Sequence, residues 1–519
     1  MTPESLTHLR EEFLLGSRHA VVLEDGARVF DLADSKYSVS GEYNKCLLHL
    51  WSAERNTVRR ILDAEVRNGN LRLMVEKLAQ SRPSKVEICK GHDHRTPTAR
   101  KAARSVYQQH PRRALERNFP DFTVTKLSNA MDLERSFGPI YARGGLRQGR
   151  TAFAVLGVNQ QETQSSIDSA LPFAVLWLDA CRNSEDHRTL VEGVKLFLPP
   201  GTSALTCERL AHLHAGAAKW QLYEFDERHD EVTAIDFADR GNVATRLVRC
   251  PDEASVLERF SDSVHHVLSL LPDCDVVVLS TAEVAFRWRG LEFARARLAH
   301  EAGSFRTAQE IVFGIGAEER RLDESSASNF ANLVQRLHAT RRPKGARHQP
   351  LGRLHPERWL ESLVIHDLTA LDERLDGSCL YSQVPAFSAS DRAMLDVLAT
   401  TRAQRLAVVE PKADADIHLP LQGLDYWSRV QWRHARREFR RFGYFPDREL
   451  ADDDPLLFLV APTLHIHPAT DTVLRYISPA IDWTRVGIDE RWRENVRVIF
   501  RKRPAPGPRS WAPQTAVVA

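Results

Sequence analysis

Between residues 19 and 80 apolar runs are spaced as in strands, and the pattern changes several times further along. AVVLEDGARVFDL sets a DG pair between two apolar runs, which predicts a hairpin. LLHLWSAERNTVRRIL and LRLMVEKL continue the strand-like spacing, so residues 1–95 predict a β-rich N-terminal module. Next, SVYQQHPRRALERNFP predicts a helix leading into strands FTVTKL and TAFAVLGV, followed by helix QSSIDSALPFAVLWLDACR and strand VEGVKLFLPP. This is an α/β unit over 105–235. Strands DVVVLS and EVAFRW and helix SNFANLVQRLHATR predict a small α/β unit over 240–340. A last unit, 354–503, reads helix PERWLESLVIHDL, strands MLDVLA and RLAVVEPK, helix LQGLDYWSRVQWRHARREF and strand PLLFLVAP. KGHDHRTPTARKAAR (90–104) and RRPKGARHQPLGR (341–353) have linker composition, and residues 504–519 read as a disordered tail. The fold class is therefore a multidomain α/β protein.

Two of these units resemble each other in element order. RTAFAVLGVN answers to QRLAVVEPK, and each precedes a helix containing Leu-Pro. KLFLPPGTSALTCERLAHL then answers to LLFLVAPTLHIHPATDTVLRYI. Laying AFAVLGVN on LAVVEPK puts Glu410 on Gly157, Lys412 on Asn159 and Asp396 on Arg143, so the first copy would be degenerate and lack the acids of the second. Two unrelated α/β units with common strand patterns are the alternative.

A chain of 519 residues exceeds one core, and 43% hydrophobic with 27% charged residues is ordinary for a globular protein. Lys plus Arg (71) nearly balances Asp plus Glu (69), so a nucleic-acid surface has to be local. The seven cysteines show no CxxC spacing, which fits a reducing compartment and excludes a zinc ribbon. With no signal-like start and no apolar run long enough for a membrane span, the expected location is cytoplasmic, with no membrane partner.

The chemistry is concentrated between Glu361 and Tyr426. Asp396 ends an apolar strand, and Glu410 and Lys412 share one face of the next strand because side chains alternate with period two. Two carboxylates converging from neighbouring strands suit Mg²⁺ or Mn²⁺, with Lys412 placed to activate water or offset developing charge. Gln422 and Tyr426 lie one helical turn apart, and Glu361 sits on the leading helix, with Glu357 as the alternative leading acid. Pro411, inside the key tripeptide, predicts a bulge or a divergence of strands at that point.

This pattern resembles the PD-(D/E)XK, or restriction-endonuclease-like, nuclease superfamily, and within it the NucS-type and Mrr-like domains. The resemblance rests on Glu361, Asp396, Glu410, Lys412, Gln422 and Tyr426 and covers about residues 355–465. It implies an α-β-β-β-α-β core, Mg²⁺ or Mn²⁺ dependence with Asp396 and Glu410 as metal ligands, and hydrolysis of DNA phosphodiesters. RNA as substrate stays open, as does a homodimer that cuts both strands. The rival reading is a catalytically inactive nucleic-acid-binding or scaffold protein that keeps the fold.

Arg433, Arg436, Arg437, Arg440 and Arg441, interleaved with Trp432 and Phe439, are the expected nucleic-acid contacts. FRWRGLEFARAR, read as a strand and a helix, and WSAERNTVRRIL are weaker basic-aromatic segments. The pairs His92/His94 and His465/His467 read as structural or surface histidines, and FGIGAEER lacks the spacing of a phosphate-binding loop.

Overall fold

The computed structural model describes residues 20–90, 107 and 109–504, except 25–26, 33–35, 43–44, 52–55, 68–69, 78–79, 126, 133–134, 161, 185–188, 228, 239–246, 301–306, 316–318, 346–348 and 388–391. The linker expected at 90–104, His92 and His94, and the tail after 504 lie almost wholly outside these residues. The protein is a mixed α/β assembly of several sheets, as the sequence predicts. Among the described residues no helix is long and apolar enough to cross a membrane.

The N-terminal module is an antiparallel set: β1 (Ala20–Glu24), β2 (Ala27–Asp31), β3 (Lys36–Glu42), β4 (Lys45–Trp51), β5 (Asn56–Arg67), β6 (Asn70–Lys77) and β7 (Gln80–Lys90). Strand periodicity makes its core: Leu71, Leu73 and Val75 of β6 are buried, while Met74 faces out. β1 and β2 form the predicted hairpin, with Glu24 opposite Ala27. Arg59 is buried against Glu24, at 2.9 Å, and Arg60 pairs with Glu76, so these two arginines of the WSAERNTVRRIL segment are neutralised internally.

The first α/β unit contains α1 (Gln109–Asn118), β8 (Thr123–Val124), β9 (Tyr141–Gln148), β10 (Thr151–Val158), α2 (Gln164–Asp168), α3 (Ala170–Arg182), β11 (Leu190–Leu198), α4 (Ala204–Leu210), β12 (Lys219–Asp226) and β13 (Glu231–Ile235). The middle unit has α5 (Glu253–Arg259), α6 (Ser261–Leu270), the antiparallel strands β14 (Asp275–Ser280), β15 (Glu283–Trp288), β16 (Leu291–His300), β17 (Thr307–Phe313) and β18 (Arg320–Arg321), and α7 (Ala327–Thr340). The last unit has α8 (Pro350–Arg353), α9 (Pro356–His366), β19 (Leu375–Phe387), β20 (Arg392–Thr401), β21 (Leu406–Pro411), α10 (Leu419–His434), α11 (Glu438–Arg441), β22 (Leu456–Pro462), α12 (Thr470–Arg475), β23 (Trp483–Ile488) and β24 (Val498–Lys502).

The first and last units share one pairing scheme. β9/β10 is antiparallel, β10/β11 and β11/β12 parallel, and β12/β13 antiparallel. β20/β21, β21/β22, β22/β23 and β23/β24 repeat that order of senses. Parallel neighbours require a crossover, which α3 and α10 supply. Every residue of β21 and β22 is buried, which is why LLFLVAP and, up to Glu410, LAVV read as continuous apolar runs. A single rung, Asn56 opposite Arg392, joins the N-terminal module to this last sheet.

The ladder register shifts the sequence comparison, by one residue at Glu410 and Lys412 and by two at Asp396. Leu156 and Val408 both face the core shared by the two units. Val158 is opposite Tyr141, and extending the β20–β21 register one step past its last rung, Val397–Val409, sets Asp396 against Glu410. Glu410 therefore corresponds to Val158, Asp396 to Tyr141 and Lys412 to Gln160, not to Gly157, Arg143 and Asn159. The mismatch arises because identity at LAVV-like runs is insensitive to a one-residue slip, whereas facing is not.

Two further expectations change. The segment 341–353 is not an open linker: Arg341 is fully buried, donating to the carbonyls of Leu351, Leu354 and Arg289, and 350–353 form α8. LEFARAR is strand β16, not a helix, and its hairpin arginines are paired internally: Arg295 with Glu292, Arg297 with Glu310, and Arg287 with Gln383.

The first and last units pack through a common core that includes Leu171, Val175, Leu424 and Val473. Across it, Arg209 of α4 makes a two-pronged, nearly buried ion pair with Asp425 of α10, at 2.8 and 2.9 Å. On the far face of the first sheet, Lys195 is buried beneath Phe119, Phe153 and Tyr223, with its ammonium bonded to Gln221. Burial pushes its pKa down to about 8.

Arg209→Ala should cost about 3–5 kcal/mol in urea unfolding, because it strands a buried Asp425, whereas Arg209→Met with Asp425→Leu should recover most of that loss. For Lys195, the penalty of burying a cation is complete below pH 8 and vanishes as pH rises to its unfolded value near 10.5. Lys195→Met should therefore stabilise the protein at pH 7 by about 1–2 kcal/mol. The gain should fade above pH 10, and a pH-independent difference would contradict the assignment.

Candidate active site

The carboxylates predicted from sequence converge where β20 and β21 part. The β20–β21 ladder ends at Val397–Val409, while β21 continues beside β22 through Pro411 opposite Val460. Pro411 is tolerated because its missing N–H falls beyond the β20 ladder, and Lys412 N–H resumes bonding to Val460. The expected divergence of strands is thus present at that residue.

Glu410 is 1% exposed, and Asp396 lies within hydrogen-bonding reach of it. Burial pushes the Glu410 carboxyl well above the usual carboxylate range; Asp396 adds to the shift and Lys412 opposes it. Lys412 Nζ stands 3.5 Å from Glu410 Oε1 and 3.5 Å from Glu357 Oε2. Burial works against its charge, but Glu410, Glu357 and Asp396 together hold its pKa up, so it is an ammonium at neutral pH. From α10, Tyr426 faces the same point, and Gln422 lies one helical turn before it. Tyr426 is pushed well above its ordinary pKa by burial and by the charges of Glu410 and Asp396.

Glu361 occupies a different place from the one its motif position suggests. It is buried, bonded by Arg358 at 2.5 Å and by Gln383 at 3.4 Å, and reaches the cluster through Arg358, which also contacts Asp396 at 3.1 Å. Burial raises its pKa and Arg358 counters that rise. Glu357, the alternative leading acid, is the one beside Lys412. Arg358 carries no motif of its own, and its i,i+3 spacing to Glu361 was the available signal. Gln383, with φ +53°, and Arg287 of the middle unit were not predicted either.

The basic segment is only partly available to a ligand. Arg433 is 1% exposed and pairs with Glu438, so it is corrected from a nucleic-acid contact to a buried structural cation. The expected single helix breaks at Arg437, which has φ +55° and caps α11. Arg436, Arg437, Arg440 and Arg441 are exposed, with Arg436 stacked on Trp432. From Gln422 to Arg436 is about 21 Å along a helix axis. His465 is paired with Asp414 and Glu490, and His467 accepts from Ala469 N–H, in line with structural roles.

Among the described residues no group of three His, Cys, Asp or Glu side chains is arranged around one point as a metal cage. Mg²⁺ does not need one, since it is commonly held by one or two carboxylates with water and substrate oxygens. Glu410 Oε2 and Gln422 Oε1 are buried oxygens with no hydrogen-bond partner. Unsatisfied acceptors beside a carboxylate pair fit a hard cation, and the donor set of Asp396 and Glu410 with Gln422 nearby is all oxygen.

Because the Glu410 pKa is raised in the fold, the stability it contributes is complete below its ordinary value of 4.5 and declines as pH rises toward the raised one. Glu410→Gln should therefore raise the melting temperature in EDTA at pH 8 by about 2–4 °C and change little at pH 4. Destabilisation at pH 8 would mean the carboxylate is structurally satisfied.

No protein-family model matches the chain, and no curated protein matches it in sequence. A solved structure similar to it is the crystal structure of a repair endonuclease from Pyrococcus abyssi, at 11% identity and a TM-score of 0.14, covering 40% of this chain and 91% of that chain.

Proposed function

We propose that the last unit is a restriction-endonuclease-like nuclease domain that hydrolyses DNA phosphodiester bonds with Mg²⁺ or Mn²⁺. One observation carries the reading: Asp396, Glu410 and Lys412 meet at one buried sheet end, where Glu410 keeps an unpartnered oxygen. The element order α9-β19-β20-β21-α10-β22 supports it, being the α-β-β-β-α-β order that the sequence resemblance implies.

Asp396 and Glu410 would hold the cation, which when bound stabilises negative charge on the phosphate and makes water more acidic. Lys412 stands beside Glu410 as an ammonium, able to orient the attacking water and offset charge on a non-bridging oxygen. In the step itself one P–O bond forms to the water oxygen and one ester P–O bond breaks; the water proton leaves to solvent and the departing oxygen is protonated. Tyr426 faces the same point from α10, with Gln422 one helical turn before it, and the two would position the water or phosphate. Glu361 acts at one remove, by fixing Arg358 against Asp396. The exposed Arg436, Arg437, Arg440 and Arg441 offer duplex DNA a phosphate-binding strip beyond the site.

The ion pair between Arg358 and Asp396 favours a second reading, a non-catalytic nucleic-acid-binding protein in which the arginine permanently satisfies the acid. Incubation of plasmid and oligonucleotide DNA with Mg²⁺ or Mn²⁺ separates the two. Cleavage should fall at least about 100-fold in Asp396→Asn, Glu410→Gln and Lys412→Met while DNA binding in a gel-shift assay persists. Binding without cleavage by the unmodified chain would favour the second reading.

A further inference from the structure

We infer that the chain supplies both halves of a nuclease dimer by itself, with one half chemically blank, and that it therefore nicks one strand of a duplex instead of cutting both. This rests on the nuclease reading of the last unit. The two sheets share the same sequence of pairing senses, and they meet in a reciprocal way. α3 of the first unit packs on α12 of the last, and α10 of the last packs on α4 of the first. Exchanging the units turns one contact into the other, because α3 and α10 are the equivalent crossovers and α4 and α12 follow equivalent strands. Such reciprocity defines an isologous, two-fold interface.

The polar contacts repeat the reciprocity. Arg209 of α4 reaches Asp425 of α10, and Arg475 of α12 reaches Asp179 of α3, at 3.1 Å. Between them Leu213 and Ile477 form an antiparallel bridge, flanked by His214 N–H to the Tyr476 carbonyl and Ser478 N–H to the His212 carbonyl.

Only one half carries the carboxylate pair on these two strands. At the positions of Asp396, Glu410 and Lys412 the first unit carries Tyr141, Val158 and Gln160. The Tyr141 hydroxyl donates to the Ser166 carbonyl at 2.8 Å, and its ring stacks on Phe173 at 4.7 Å. Val158 is 2% exposed in the shared core. The strand positions that hold carboxylates in one copy carry aromatic and apolar side chains in the other, where the neighbouring Glu227 is tied to the Gln160 N–H. A two-fold frame with one working site presents one scissile phosphate to chemistry: one water adds across one P–O bond, and the opposite strand stays intact.

The test uses the full chain, shown by light scattering to be a monomer at the assay concentration, on supercoiled plasmid with Mg²⁺ or Mn²⁺. Open circle should exceed linear DNA at least tenfold when half the substrate is consumed. Gln160→Ala should leave the nicking rate within twofold. Linear product formed in step with open circle, or a tenfold loss in Gln160→Ala, would overturn the single-site assignment while leaving the nuclease reading intact. An absence of any cleavage that is sensitive to Asp396→Asn would remove the nuclease reading and this inference together.

Discussion

Carboxylates forced together at a dry sheet end constrain everything around them. β21 is buried along its whole length, so a charge on Glu410 is poorly hydrated and depends on neighbouring charge. Lys412 supplies part of that charge and Arg358 supplies the rest through Asp396 and Glu361. Each comes from a different element, so β21, β20 and α9 must hold their relative positions for the cluster to stay neutral enough to exist. A charge left unpaired at such a depth costs several kcal/mol, about the size of a domain's whole net stability. The cluster is expensive to keep, and an expense of that kind at a sheet end is the physical argument for function there.

The middle unit is what fixes α9. At the tip of the β15–β16 hairpin, Gly290 has φ +75° and lies so close to the Arg358 carbonyl that no side chain fits. Asp275 at the start of β14 bonds Ser362 and His366 of α9, and that contact raises the His366 pKa to about 9. Arg341 is stacked on Trp359 at 4.8 Å and tied to three carbonyls, which joins the end of α7 to the same helix. Arg287 reaches Gln383, which in turn reaches Glu361. A unit that looks like a spacer in the chain therefore buttresses the side chains facing the carboxylates.

The legible parts of the sequence were those governed by period. Alternation gave the strands of the N-terminal module, and the apolar stretches of RLAVVEPK and PLLFLVAP gave two further strands, which the structure buries throughout. The shared face of Glu410 and Lys412 followed from the period of two and is present as a 3.5 Å contact. What failed was anything that depends on a partner distant in sequence. Arg433 reads as one more cation in a basic run, yet Glu438 and the core around Tyr444 bury it. RRPKGARHQPLGR has a linker's composition, but the carbonyls that bind Arg341 cannot be seen in composition. The one-residue slip between the two copies is of the same kind, since only ladder register and facing distinguish Gly157 from Val158 as the counterpart of Glu410.

The asymmetry between the two copies has a simple energetic direction. Tyr141 and Val158, where the last unit has buried acids, carry no such desolvation cost and add packing. The two units are tied together all the same. Leu171, Val175, Leu424 and Val473 belong to one continuous core, and Arg209 depends on Asp425 across it. The interface is thus held by its own burial, whether or not a sheet end beside it carries a carboxylate pair.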